Sequence, residues 1–327
     1  MLDFFHTTNS INNNYDVQTF AGLADTTLSN WQMWRKPRGA KMIYILAVGG
    51  GASGGCGVNT GTTSGAGAGG GSGGQSSLLI PAMLIPDTLY IQIGQGGKAG
   101  TPTSGGLCVA GLPTYIAYEA DTTQESYFTL LLANYAPVSV TSATTTTGGT
   151  AGPAASAASI NNMDAARGGI YTLIVGQAGV AGGASGTATA NNTIPTTGII
   201  VSGGNGGGSA NTGGTSYPGG YSNTSAVPLG SEFIPQNTVL ATMAGIAGVT
   251  TTPAGNGNSG FICPHYIMNF GGFGGGGDSG IAGSGAGGGG TGAPGCGGGG
   301  AGGSTLTNST LGIPGNGGDG FVIIISM

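Results

Sequence analysis

Residues that could carry acid–base, metal or nucleophilic chemistry are few in this chain of 327 residues. His6 and His265 are its only histidines, and the acidic residues stand singly, so no catalytic dyad or triad is suggested. Strings of the Gly-x-Gly-x-x-Gly type occur, but they lack the strand-turn-helix context and the following acidic residue of a dinucleotide site. The sequence therefore predicts neither an enzyme nor a cofactor.

The four cysteines do not form a recognisable metal site. They include no Cys-x-x-Cys pair and have no histidine at ligand spacing, so no bound metal is predicted; they are Cys56, Cys108, Cys263 and Cys296. Cys56 and Cys296 both lie in glycine-rich tracts and would come close if those tracts were neighbours. Free, buried thiols are favoured over disulfides, because nothing indicates an oxidising compartment.

The charge and hydropathy of the chain exclude two classes of partner. Six basic and eleven acidic residues give a net charge of -5, which argues against a phosphate-binding surface and hence against nucleic acid. No secretory signal is visible, and the longest apolar runs, such as MIYILAV, are far too short to span a bilayer. We therefore expect no membrane insertion.

Glycine-rich tracts are the elements that must position every other residue. The chain has 75 Gly and 15 Pro, a composition usual for disordered segments, yet its mean hydropathy is positive at +0.17 and its charge is low. These properties favour a folded, glycine-based structure. The tracts recur between strand-like apolar runs, at residues 49–74, 94–106, 176–186, 203–220 and 271–303.

A strand that runs into a glycine tract is the repeating unit of the sequence. LYIQIGQGGKAG at 89–100 matches YTLIVGQAGVAG at 171–182, and MIYILAVGGG is a looser third copy. Two or three strands are predicted between the copies, with a turn near residues 121–124, followed by a loop at 139–158. The last apolar run, FVIII, mirrors MIYILAV, so a sheet formed by the two would close the domain.

Glycine tracts can form a core only if their backbone groups bond to one another. Chains with three residues per turn and about 3.1 Å rise have no internal hydrogen bonds, so their N–H and C=O groups must pair with neighbouring chains. We therefore predict an all-β fold with little or no helix, in which β layers flank a bundle of polyglycine II helices. Residues 31–327 would form this glycine-rich domain, and residues 1–30 an N-terminal attachment segment.

Three sequence features in order resemble one known family. They are WQMWRKPRGAKMIYILAVGGGASGG at the start, LYIQIGQGGKAG in the middle and GNGGDGFVIIISM at the end. Together they resemble the glycine-rich domain of bacteriophage tail fibres and related adhesin-like virion proteins. The resemblance implies a sandwich of polyglycine helices whose connecting loops bind the host surface. The chain lacks the long repetitive N-terminal shaft of a typical fibre, which leaves fibre, tail-tip and capsid-surface positions open.

The resemblance implies a virion protein that acts in host attachment and is assembled in the host cytoplasm. Its expected partners are other virion proteins and a host surface glycan or outer-membrane protein, and it could be oligomeric. Since tyrosine stacks on sugars, the candidate receptor-binding residues are aromatic residues of the connecting segments: Tyr115, Tyr118, Tyr127, Tyr135, Tyr217, Tyr221, His265 and Tyr266. The candidate virion-attachment residues are Phe4, Phe5, Trp31 and Trp34.

Two other functions fit the same sequence. One is a purely structural decoration protein without receptor binding, in which the tyrosines would simply pack in the β layers. The other is a glycine-rich ice-binding protein, in which outward Ala and Thr residues would form a flat face. The long aromatic inserts and the absence of a strict three-residue glycine repeat argue against ice binding.

Overall fold

A computed structural model of the chain describes most of its residues. The described ranges are 15–22, 31–120, 129–138, 141–156, 169–193, 200–211, 213–223, 237–248, 252–263, 268–279, 285–306 and 310–327.

The described residues are nearly all β or irregular, which confirms the predicted all-β class. One short helix, α1 (Asn237–Thr242), and one 3-10 turn (Ala82–Leu84) are present in these ranges. The strands are β1 (Asp16–Ala21), β2 (Gln32–Arg35), β3 (Met42–Val48), β4 (Gln75–Pro81), β5 (Thr88–Gln92), β6 (Thr114–Ala117), β7 (Thr129–Ala133), β8 (Ile170–Ile174), β9 (Asn192–Thr193), β10 (Ser222–Asn223), β11 (Ile262–Cys263), β12 (Met268–Asn269) and β13 (Phe321–Ser326).

The larger sheet has five antiparallel strands in the order β1-β13-β3-β4-β8. The predicted pairing of the first and last apolar runs is confirmed, since Ile324 of β13 lies opposite Ile45 of β3. Both strands are apolar on both faces because both faces are covered. Alternate residues such as Ile45 and Ile324 face one apolar cluster, while Leu46 and Ile323 face another.

A second sheet, in the order β2-β5-β6-β7, covers one face of the first. Together they form a β-sandwich whose core is aliphatic except for Trp34 of β2, which is completely buried. The opposite face of the five-stranded sheet packs against Val201, Ala293 and Cys296 of the glycine-rich region. The sandwich is therefore joined to the glycine-rich region by an ordinary apolar contact.

Strand β1 lies inside the segment predicted to serve for attachment, residues 1–30. It pairs with β13 over six residues, from Asp16 opposite Ser326 to Ala21 opposite Phe321. At least this part of the segment is therefore an edge strand of the sandwich.

Strands continue directly into glycine segments at one end of the sandwich. β3 runs into residues 49–58, while residues 65–74 lead into β4 and residues 312–320 into β13. The hydrogen bonding continues as well, because Val48 pairs with Gln75 in the sheet and the next residue, Gly49, donates its N–H to Gly74. Each full copy of the predicted repeat also has a strand that continues into a glycine segment: β5 in the first copy and β8 in the second.

Successive residues of a glycine segment bond to different neighbours. In residues 49–58, the N–H groups of residues 49, 52, 55 and 58 go to segment 65–74, while those of 50, 53 and 56 go to segment 105–112. The N–H groups of residues 51 and 54 go to a third segment, 312–320. A period of three is what a helix with three residues per turn produces, and it is the pattern expected for polyglycine II.

One segment, residues 295–304, lies at the centre of the glycine bundle, and we call it the central segment. Every one of its residues is buried. It has six bonded neighbours. Its N–H groups go mainly to segments 49–58, 201–210 and 285–293, and its carbonyls accept N–H groups of segments 65–74, 269–279 and 312–320; at its start, Gly295 also donates to Asp319.

The bundle excludes side chains at many of the positions where segments touch. A Cβ built at Gly299 would lie 2.7 Å from the carbonyl carbon of Phe273 and closer still to its oxygen, distances that real Cβ atoms do not show. A Cβ at Gly300 would meet the carbonyl of Gly67 in the same way. Glycine is required at such positions because backbone lies against backbone.

The Thr- and Ala-rich run at 139–158 is only partly the loop that the sequence predicted. Gly149, Gly152 and Ala155 are buried, and their carbonyls accept N–H groups of the 176–184 segment at three-residue spacing. Residues 149–155 are therefore another segment of the bundle. The prediction was wrong here because the run holds few glycines, and small alanines occupy several of its positions.

Substitution at the centre of the bundle should destabilise the protein far more than substitution at its margin. We expect Gly299→Ala to lower the free energy of unfolding by about 3 kcal/mol, because the backbone of residues 272–273 must move. Gly100 is exposed and has no atom within 4 Å of a built Cβ, so Gly100→Ala should change stability by less than about 1 kcal/mol. Chemical denaturation of both variants measures the difference, and equal stabilities would contradict a packed bundle.

Candidate functional site

Two of the predicted receptor-binding tyrosines lie side by side. Tyr115 is a half-buried residue of β6, and Tyr135, 39% exposed, follows the neighbouring strand β7. Burial raises the pKa of the Tyr115 hydroxyl above its ordinary value of 10.0, and the nearby Tyr135 raises that pKa further. The Tyr115 hydroxyl therefore stays protonated and able to donate a hydrogen bond at neutral pH.

Exposed apolar side chains lie on the same two chain segments as this tyrosine pair. Leu112 and Val138 are 37% and 45% exposed. The N–H of Gly111 donates to the carbonyl of Ala136, so the two segments that carry Leu112 and Tyr135 run next to each other. We call Leu112, Tyr115, Tyr135 and Val138 the tyrosine face.

Three further predicted tyrosines have structural contacts elsewhere. Tyr118 is half-buried against the core of the sandwich. Tyr217 and Tyr221 are half-buried on a short bundle segment, where the Tyr217 carbonyl accepts the N–H of Gly277 and the Tyr221 carbonyl that of Asn192. Their backbones thus belong to the scaffold.

The remaining predicted residues divide between the sandwich core and undescribed parts of the chain. Trp34 is fully buried and has no surface with which to contact a partner protein, whereas Trp31 is half-buried. Five lie outside the described residues: Phe4, Phe5, Tyr127, His265 and Tyr266.

The described cysteines are structural. Cys56, Cys108 and Cys296 are buried and form no disulfide, which confirms the expectation of buried thiols for these three. The segments that carry Cys56 and Cys296 are neighbours as predicted, but Cys296 lies beside Gly51, about 16 Å along the segment from Cys56 at 3.1 Å per residue. Burial raises the pKa of both the Cys56 and the Cys296 thiol, so neither is a ready nucleophile.

The described ranges contain no cluster of three His, Cys, Asp or Glu side chains that could hold a metal ion. None of the helical residues described forms a span long and apolar enough to cross a membrane.

A groove of about 680 Å³ opens on the surface of the bundle. It runs along segment 285–293, between segment 255–260 on one side and residues 310–316 on the other. Among the described residues, its polar lining consists of amide and hydroxyl side chains together with glycine backbone, and none of them is charged; the polar ones are Asn256, Ser259, Thr291, Thr310 and Asn316. Such a lining can exchange hydrogen bonds with a neutral ligand.

Two asparagine side chains of the groove accept backbone N–H groups, as a backbone carbonyl does elsewhere in the bundle. The Oδ1 of Asn256 accepts the N–H of Gly288 at 2.7 Å, and the Oδ1 of Asn316 accepts the N–H of Ala99 at 2.7 Å. The hydroxyl of Thr291 donates to that of Ser259 at 2.9 Å. Sequence reasoning missed these residues, although both asparagines stand in a Gly-Asn-Gly triplet that could have marked them.

Comparison with known proteins gives one family match. A family model described as a glycine-rich domain matches residues 26–126, a region that runs from before β2 to beyond β6. No curated protein matches the chain. The chain is therefore similar to glycine-rich domains over this part of its length.

Removal of the Tyr135 hydroxyl should lower the pKa of Tyr115. In Tyr135→Phe a phenolate at 115 meets no second phenolate, so its pKa should move towards 10.0. Stability conferred by protonated Tyr115 is present below the unfolded pKa and lost as the pH rises through the raised folded value. An alkaline titration of ring-labelled tyrosine by NMR measures the shift, with Tyr171→Phe as the control. If the pKa of Tyr115 were the same in Tyr135→Phe as in the unmodified protein, the two hydroxyls would not interact.

The three buried thiols should resist alkylation until the protein unfolds. Because Cys56 and Cys296 are buried with raised pKa values, we expect little modification by iodoacetamide at neutral pH in the native protein and full modification in denaturant. Mass spectrometry of tryptic and chymotryptic peptides resolves each cysteine. Rapid modification of Cys296 in the native protein would contradict a closed bundle.

Proposed function

We propose that this protein is a structural protein of a bacteriophage virion surface, a fibre, tail-tip or capsid-surface component, and that it acts in host attachment. Its partners would be other virion proteins and a host surface glycan or outer-membrane protein. The proposal rests on the resemblance to tail-fibre glycine-rich domains together with the architecture of the scaffold.

The observation that carries the proposal is the position of the tyrosine face on a scaffold made of bonded backbone. Tyr115 and Tyr135 are held by β6 and by the end of β7, both of which continue the ladder of the sandwich. Recognition residues on segments fixed by a rigid scaffold lose little conformational entropy on binding. A partly exposed tyrosine pair of this kind suits contact with a sugar ring.

The chemistry of the surface favours a neutral ligand. The rings of Tyr115 and Tyr135 offer apolar contact and their hydroxyls can form hydrogen bonds, while Leu112 and Val138 add exposed apolar area on the same two segments. Only 17 of the 327 residues are charged, being 6 basic and 11 acidic, so recognition would depend on hydrogen bonds and ring contacts. Glycans present both features.

Loss of the exposed tyrosine should reduce binding to the host surface. We expect Tyr135→Ala to weaken adsorption of the purified protein to host cells by about tenfold, because a central aromatic contact is removed. Tyr171→Ala is the matched control, since Tyr171 is 49% exposed on the edge strand β8, outside the tyrosine face. A glycan array probed with the same three proteins identifies the sugar.

Two results would change this account. Unchanged adsorption of Tyr135→Ala would remove the tyrosine face from the proposal and leave a decoration protein without receptor binding. Antibodies raised against the protein should label intact phage particles in electron micrographs, and failure to label them would overturn the virion assignment itself.

A further inference from the structure

The groove lies where segment 285–293 lacks neighbours. The central segment has six bonded neighbours, whereas segment 285–293 bonds to four among the described residues: segments 255–260, 269–279, 295–304 and 312–316. The open side is the groove between segment 255–260 and residues 310–316. At the groove, no described segment occupies the place of a neighbour beside segment 285–293.

Backbone groups on the open side have no partner in the described part of the chain. The carbonyls of Ala286 and Gly289 accept no hydrogen bond there, and the N–H of Thr291 donates none. The N–H of Gly288 is satisfied only by the side chain of Asn256. The two open carbonyls are three residues apart, or about 9 Å at 3.1 Å per residue.

We propose that this groove binds an extended, glycine-rich peptide segment of a partner chain, which completes the bundle as one more strand-like segment. An incoming chain with three residues per turn presents an N–H group every third residue, at the spacing of the Ala286 and Gly289 carbonyls.

The occupant must be small and uncharged. Elsewhere in the bundle, glycine is required at positions where a Cβ would meet backbone, and the described residues of the groove lining carry no charge to neutralise a charged peptide. This mode of binding resembles the addition of a strand to a sheet edge, where main-chain hydrogen bonds supply the affinity. The inference does not depend on the proposed role in host attachment.

NMR titration with a synthetic peptide tests the inference. The probe is the nonapeptide (Gly-Gly-Ser)3, and the matched control is (Thr-Thr-Ser)3, which is equally uncharged but has a Cβ at every position. We expect (Gly-Gly-Ser)3 to shift the amide resonances of Gly288, Gly289 and Thr291 in the full-length protein. We expect (Thr-Thr-Ser)3 to bind at least about tenfold more weakly.

Substitutions on the groove wall complete the test. Thr291 and Ser259 are exposed, so Thr291→Trp and Ser259→Trp should fill the groove without disturbing the fold and should abolish the shifts. Thr145→Trp, on an exposed surface away from the groove lining, should leave them unchanged. Unperturbed groove amides with (Gly-Gly-Ser)3, equal binding of both peptides, or full binding by both groove variants would overturn the inference. So would shifts of the same amides by maltoheptaose but not by the peptide.

Discussion

The structure depends on the pairing of backbone N–H and C=O groups between glycine segments. A buried peptide group without a partner destabilises a fold, and the glycine bundle has almost no side chains that could supply one. The three-residue period solves this problem, because each segment turns its successive N–H groups towards three different neighbours. The absence of Cβ atoms is the condition for it, since a Cβ at Gly299 would overlap the backbone of Phe273.

Hydrogen bonds alone would not order so much glycine. Each fixed residue loses roughly 1 to 2 kcal/mol of conformational free energy, whereas a hydrogen bond contributes about 1 kcal/mol net. The sandwich supplies the missing stabilisation through its aliphatic core, and its strands set the register of the segments that follow them. At some positions of the bundle, a side chain and not a carbonyl accepts the hydrogen bond. The hydroxyl of Ser53 accepts the N–H of Val109, and that of Ser72 accepts the N–H of Gln177.

Much of this architecture could be predicted from the sequence because its signals are local. The alternation of apolar runs and glycine tracts predicted the strands that enter the bundle, and the similarity of FVIII to MIYILAV predicted the pairing of β13 with β3. The role of β1 could not be predicted, since DVQTFA has a weak pattern and becomes a strand only through its pairing with β13. Residues 149–155 were missed because the run holds few glycines and alanine takes the place of glycine even at the buried position 155.

The candidate site was harder to predict than the fold. Which tyrosines meet is decided by register, and the sequence gives no sign that Tyr115 and Tyr135 lie together while Tyr118 packs on the core. Trp34 was expected at an attachment surface but fills the sandwich core, because both contexts favour a large aromatic side chain. The groove arises from a missing neighbour, and a missing neighbour leaves no pattern in the residues that surround it.

Hydrogen–deuterium exchange of the backbone amides in the central segment, residues 295–304, tests the bundle most directly. The account predicts that the N–H groups of Gly298, Gly299 and Gly300 exchange as slowly as those of β3 and β13, because each is buried and bonded to a neighbouring segment. Exchange of these glycines at the rate of an unstructured chain, with β3 still protected, would contradict it.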